Sequence, residues 1–158
     1  MKSRIDIRKI SPKALQSFYA VEAYLASSGL ESSLRHLIKM RASQVNGCAH
    51  CIDMHSKDAR AEGESEQRLY GLNAWRETPY YNERERAALE WTEAVTLLTE
   101  GHVPDEVFER VKAQFSEQEI LNLTIAVAQI NFWNRLAVSL RAEAGTYQVG
   151  EHRVKNTA

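Results

Sequence analysis

Apolar residues return every three or four positions along most of this 158-residue chain, the period of helices with one buried face. Ser11-Pro12 has the form of an N-cap followed by proline at the first helical position. Ala14, Phe18, Val21 and Leu25 then repeat on one face until Gly29 ends the helix. A second helix is expected over 31–45, with Leu34, Leu37, Ile38, Ala42 and Val45 as its buried stripe. Asn46-Gly47 breaks it, and a third helix starts at the cysteines and runs to Gly63. Ser65 caps a short helix holding Leu69, Tyr70 and Leu72, followed by the loop NAWRETPYYN. Asn82 with Glu85, and later Ser116 with Glu119, have capping-box spacing. The first pair opens a helix carrying Ala88, Trp91, Val95 and Leu98 to near Gly101. The second opens a long apolar helix to about Glu143. Between them Pro104 opens a helix with Val107, Phe108 and Val111. Only SRIDIRKI, near the start, alternates briefly, and it is too short to argue for a sheet. The pattern predicts one all-α domain over 1–158. Its polar, aperiodic tail, about 144–158, is expected to be loose or held by a neighbouring subunit.

Composition narrows the function classes. A 44% hydrophobic and 26% charged chain is an ordinary globular one. A net charge of −1, with no basic block, argues against nucleic acid or an anionic membrane as partner. The most apolar run, Leu121 to Leu140, carries Asn122, Thr124, Gln129, Asn131, Asn134 and Arg135, too many polar groups for a bilayer span. It reads as a buried helix whose asparagines satisfy partners inside the core or in another subunit, in preference to lining a pocket. So apolar a helix also suggests a homo-oligomer. The N-terminus lacks the apolar stretch of a secretory signal. The expected location is cytoplasmic, where thiols stay reduced and a close cysteine pair points to catalysis or metal more than to a structural staple.

That pair changes the picture most. In QVNGCAHCIDMHSKDAR, residues 44–60, Cys48 and Cys51 are the only cysteines. Helical spacing puts Cys48, Cys51, Ile52, His55 and Ala59 on one stripe, with Asp53, Lys57, Asp58, Arg60 and Glu62 turned mostly toward water. One turn apart, the two thiols can form a disulfide after small adjustment. A helix N-terminus favours thiolate, and His55, one turn further, can accept a proton from Cys51. A thiolate, a resolving thiol and a base are the parts that peroxide reduction needs. Zinc is the weaker reading, because the motif gives three ligands and His102 has no context as a fourth. Two inert core cysteines is the weakest reading. His50, inside the pair, is either a surface histidine or a group that tunes thiolate charge. His36 shares a face with Met40, Ser43 and Gly47 that leads to Cys48; it is either a proton relay or a solvated histidine.

The stretch LRHLIKMRASQVNGCAHCIDMHSKDARAEGESEQRLYGLNAW, with YNERERAALEWTEAVTLLTEGHVPDEVFE and AQINFWNRLAVSLR, resembles the carboxymuconolactone decarboxylase-like superfamily, in its alkylhydroperoxidase D branch. The likeness spans about residues 12–142. It implies an all-α helical bundle assembled as trimers or hexamers, with the cysteine pair near a subunit interface, and cysteine-dependent hydroperoxide reduction. By the resemblance Cys51 is peroxidatic, Cys48 is resolving and more accessible to a reductant, His55 is the assisting base, and His50 matches the family's histidine within the pair. No cofactor is implied; the electrons come from a thiol or dihydrolipoyl-type reductant. Relatives carry a glutamate twelve residues before the first cysteine as the start of a proton relay, and here that position is His36. A general disulfide oxidoreductase or redox sensor, or a metal-binding scaffold, are the alternatives.

Overall fold

The computed structural model describes residues 2–151, and among them no strand occurs. The helices are α1 (Ile7–Ile10), α2 (Pro12–Ala26), α3 (Ser32–Val45), α4 (Ala49–Ala61), α5 (Glu66–Gly71), α6 (Glu83–Thr96), α7 (Asp105–Lys112) and α8 (Glu117–Leu140). Short 3₁₀ turns at Leu72–Ala74 and Leu98–Glu100 follow α5 and α6. The expected all-α fold is therefore the observed one.

Helix α3 is central and packs against α4, α6 and α8. One side of the core joins Leu34 and Ile38 of α3 to Ala88 and Trp91 of α6, Val111 of α7, and Leu123 and Val127 of α8. A second cluster gathers Leu37, Met40, Ala59, Leu72 and Leu89. A third holds the cysteines with Ala42 and Ile130. Truncating a fully buried residue such as Leu37 or Ile38 to alanine should cost about 2–5 kcal/mol. Both capping boxes form: Asn82 accepts from the Glu85 amide and Ser116 from the Glu119 amide, while each glutamate returns a bond to its cap.

Helix α8 ends at Leu140 instead of about Glu143, because Arg141 adopts a left-handed conformation (φ 57°) and its amide closes on Ala137 and Val138. Its asparagines satisfy neighbours within the chain. Asn122 accepts from Tyr24 Oη (2.7 Å) and donates to the Ser28 carbonyl (3.1 Å), while Asn131 donates to Thr96 Oγ1 (2.9 Å). Among the described residues no helix is long and apolar enough to cross a membrane.

The tail requires a correction. Up to Glu151 it is not loose, since it folds back on α4 of its own chain. Gly145 N donates to Asp53 Oδ2 (3.0 Å), Lys57 Nζ to the Tyr147 carbonyl (3.1 Å) and Tyr147 Oη to Asp58 Oδ1 (2.8 Å). Tyr147 is buried. The α4 residues expected to face water thus hold the tail, with one aromatic anchor that helical periodicity does not detect. The remainder of the expected tail, 152–158, lies outside the described residues.

Candidate functional site

The site begins at the corner between α3 and α4. Gly47 turns the chain with φ 65°, a conformation that a side chain disfavours. Asn46 caps α3, and its Nδ2 lies within hydrogen-bond distance of the Ala42 carbonyl (2.9 Å), Asn131 Oδ1 (3.0 Å) and Asn134 Oδ1 (2.9 Å). Asn134 in turn donates to Ser43 Oγ (3.1 Å), and Cys48 N donates to the Ser43 carbonyl (2.9 Å). The corner is therefore fixed from α8 by two buried asparagines before the first cysteine is reached.

Cys48 is the N-cap of α4: its sulfur accepts the Cys51 amide at 3.3 Å. Cys48 and Cys51 are joined as a disulfide with a Cα–Cα separation of 5.4 Å, inside the usual range. The expectation that Cys48 is the more accessible is not met. Both residues are 1% exposed, and Cys51, not Cys48, lines the neighbouring cleft. The cap position pins Cys48 between the Ser43 carbonyl and the apolar contacts with Ala42 and Ile130.

The cleft, about 970 Å³, lies between α2, α3, α4, the end of α8 and the tail. Cys51, His55 and His36 line it, so of the four sequence-predicted site residues all but Cys48 meet there, and His50 joins them. His55 is buried. His50 Nδ1 lies 2.8 Å from the Glu143 carbonyl, which can only accept, so this nitrogen carries the proton. His50 is thereby tied to the tail at the cleft rim.

His36 is not a solvated surface residue; its side chain is 13% exposed. Its Nε2 lies 3.1 Å from Glu62 Oε2, within ion-pair distance but off the line of a hydrogen bond, and its Nδ1 is buried without an acceptor among the described residues. Ser32 Oγ also donates to Glu62 Oε2. A carboxylate thus stands beside position 36, supplied from the end of α4. Glu62 is one of three site residues that sequence reasoning missed, with Arg35 and Glu22. Glu62 was expected to face water; its place seven residues after His55 could have put it on the cleft side, although not against His36. Glu22 accepts from Lys39 Nζ (2.7 Å) and Trp133 Nε1 (3.0 Å), and nothing in the periodicity of α2 announced it.

An all-helical bundle with a CxxC disulfide at a helix start, opening on a histidine-lined cleft, defines a class of thiol-bearing helical proteins. The comparisons with known proteins give that class its family. The model for the carboxymuconolactone decarboxylase family matches residues 12–94. An uncharacterized Bacillus subtilis protein, YdfG, is 41% identical over 146 residues, covering 92% of this chain and 99% of that one. A crystal structure of a protein of unknown function from Agrobacterium tumefaciens, provisionally assigned to antioxidant defence as AhpD, superposes with a TM-score of 0.89 at 48% identity, over 92% of this chain and all of that one. The debrominase Bmp8 shares the fold at 21% identity, with a TM-score of 0.79 over 87% of this chain and 74% of its own. This chain belongs to the carboxymuconolactone decarboxylase family, in its alkylhydroperoxidase D-like branch.

Proposed function

We propose that the protein is a thiol-dependent peroxidase that reduces hydroperoxides through a Cys48–Cys51 dithiol/disulfide cycle. The observation that carries this reading is the placement of Cys51, joined to Cys48, in a cleft shared with His55 and His36. In the reduced protein the Cys51 thiolate attacks the peroxide: an S–O bond forms, the O–O bond breaks, and the leaving alkoxide takes a proton from His55 to become an alcohol. The Cys48 thiolate then attacks the Cys51 sulfenic acid; the S–S bond forms and the hydroxyl leaves as water after taking up a proton. An external thiol or dihydrolipoyl-type reductant restores both thiols by exchange. The cleft beside Cys51 leaves room for a hydroperoxide and for a dithiol reductant. His36 with Glu62 occupies the place of the relatives' relay glutamate and is assigned here to proton return to His55. The reduced cytoplasm and a homo-oligomer, trimeric or hexameric, are the expected setting.

The test is steady-state peroxide consumption with a panel of reductants, followed by single-turnover kinetics. Cys51→Ser should abolish consumption. Cys48→Ser should stop turnover after one step and leave a sulfenic acid that dimedone traps. Full turnover in both variants would remove the proposal. A second-order rate with hydroperoxides no faster than that of free cysteine would instead favour general disulfide exchange or redox sensing. The kinship in fold with a debrominase makes that comparison worth measuring.

A further inference from the structure

Helix α3 sends two cations to the cleft, Arg35 and Lys39, one turn apart. Lys39 is neutralised by Glu22 at 2.7 Å. The Arg35 side chain makes no hydrogen bond or ion pair with another described residue; it is half-buried, with its Nε enclosed without an acceptor and its two terminal nitrogens facing the cleft. A buried donor left unpaired is costly, and a guanidinium most of all unless an anion meets it. Of the carboxylates that line the cleft, Asp6 pairs with Lys9, Glu143 is exposed, and the other three are engaged within it. Glu22 holds Lys39 and Trp133, Asp58 holds Tyr147, and Glu62 stands against His36 and Ser32. The same lining includes the apolar side chains of Leu15, Met54, Trp133, Leu136 and Leu140. The cleft therefore offers one uncommitted planar cation, a greasy path, and Cys51.

We propose that this cleft binds small molecules that join a carboxylate to an apolar chain, with Arg35 receiving the carboxylate in a bidentate pair. Resting on the peroxidase reading, this makes carboxylate-bearing alkyl hydroperoxides the substrate class. Arg35 lies seven residues before Ala42, which shares a core cluster with Cys51, so at 1.5 Å per residue Arg35 is rooted about 10 Å along α3 from the level of the thiol. The preferred substrate carries its hydroperoxide several methylene groups from its carboxylate, as in a hydroperoxy fatty acid.

Two measurements on the full-length protein test this. The first is independent of turnover: calorimetric titration with octanoate and with its neutral counterpart octanamide. Octanoate should bind about tenfold tighter or better, the worth of one charged hydrogen-bonded pair. Arg35→Gln should bring the ratio toward one, and Arg35→Lys, which keeps the charge but not the fork, should restore part of it. The second compares kcat/KM for a hydroperoxy fatty acid and for its methyl ester, where the wild-type protein should show the same preference for the acid. Equal binding of octanoate and octanamide by the wild-type protein overturns the inference, with no variant needed, and so does a preference unchanged in Arg35→Gln. Brisk turnover without preference for the acid refutes the carboxylate site and leaves the peroxidase reading intact. Selective octanoate binding with no turnover of any hydroperoxide does the reverse.

Discussion

Cys48 carries two duties that a reading of CxxC as a purely redox motif overlooks. Its sulfur is half of the disulfide and also the acceptor that caps α4, taking the Cys51 amide. Serine is among the best N-caps, whereas alanine cannot accept that bond. Cys48→Ser and Cys48→Ala should therefore both lose turnover but differ in stability, with the alanine variant less stable by about 1 kcal/mol. Chemical denaturation of the two variants, both compared with reduced wild type, checks this; equal midpoints would show that the cap adds nothing. The residue assigned as base was legible because the i, i+4 spacing from Cys51 to His55 is a property of one helix. The partner of His36 was not, because Glu62 reaches it from a different helix. If the His36–Glu62 pair returns protons to His55, His36→Gln should slow peroxide consumption by about tenfold or more while leaving the disulfide able to form with a chemical oxidant. Unaltered consumption would assign His36 to structure alone.

At the scale of elements, the corner between α3 and α4 is the part that the site depends on. Gly47 holds φ 65°, and nothing crowds the position where a Cβ would be placed, so a substitution there meets backbone strain alone. Gly47→Ala should cost about 1–2 kcal/mol, the penalty of a left-handed L-residue. Asn134→Leu, alike in branched shape though bulkier, should cost more than an exposed substitution, because Ser43 and Asn46 would both lose a buried partner. Thermal denaturation separates the two effects from wild type, and a neutral Asn134→Leu would mean that water replaces the lost bonds. Helix starts were the most readable feature of the sequence, since Asn82/Glu85 and Ser116/Glu119 announce them through local side-chain chemistry. Helix ends were less so. The last turn after α6 tightens into a 3₁₀ turn at Leu98–Glu100, and α8 stops at Arg141, whose left-handed backbone no glycine signals. The long apolar helix was correctly read as buried. The partners that tie its asparagines to other helices could not be assigned, because those lie 35 to 98 positions away in sequence.

Across the whole molecule, charged side chains tie together helices that the apolar core merely stacks. Glu93 of α6 accepts from Trp75 Nε1 (2.8 Å), Arg76 Nη1 (2.6 Å) and Arg41 Nε (2.6 Å). Burial works to raise its pKa, but these bonds outweigh it and hold the carboxyl below its ordinary 4.5. Arg84 reaches Glu31 at the start of α3 (2.9 Å) and Glu119 in the first turn of α8 (2.6 Å). Glu119 is pulled down to about 2, first by the Ser116 amide in the capping box, then by the Ser116 hydroxyl and Arg84. Both carboxylates bind protons more weakly when folded than when unfolded. The stability they contribute is complete above the unfolded value near 4.5 and is lost as pH falls through the folded values, toward 2 for Glu119. Urea midpoints measured between pH 7 and pH 2 should therefore be flat at the upper end and fall steadily below about 4.5. Glu119→Gln isolates one contribution, because glutamine can still reach back in a capping box but cannot titrate. That variant should be less stable than wild type at pH 7 and should show a shallower acid decline between 4.5 and 2, the two curves converging at the acid end. Parallel curves over that interval would mean that the Glu119 carboxyl titrates alike in the folded and unfolded chain. In that case its bonds to Ser116 and Arg84 would contribute nothing that depends on charge.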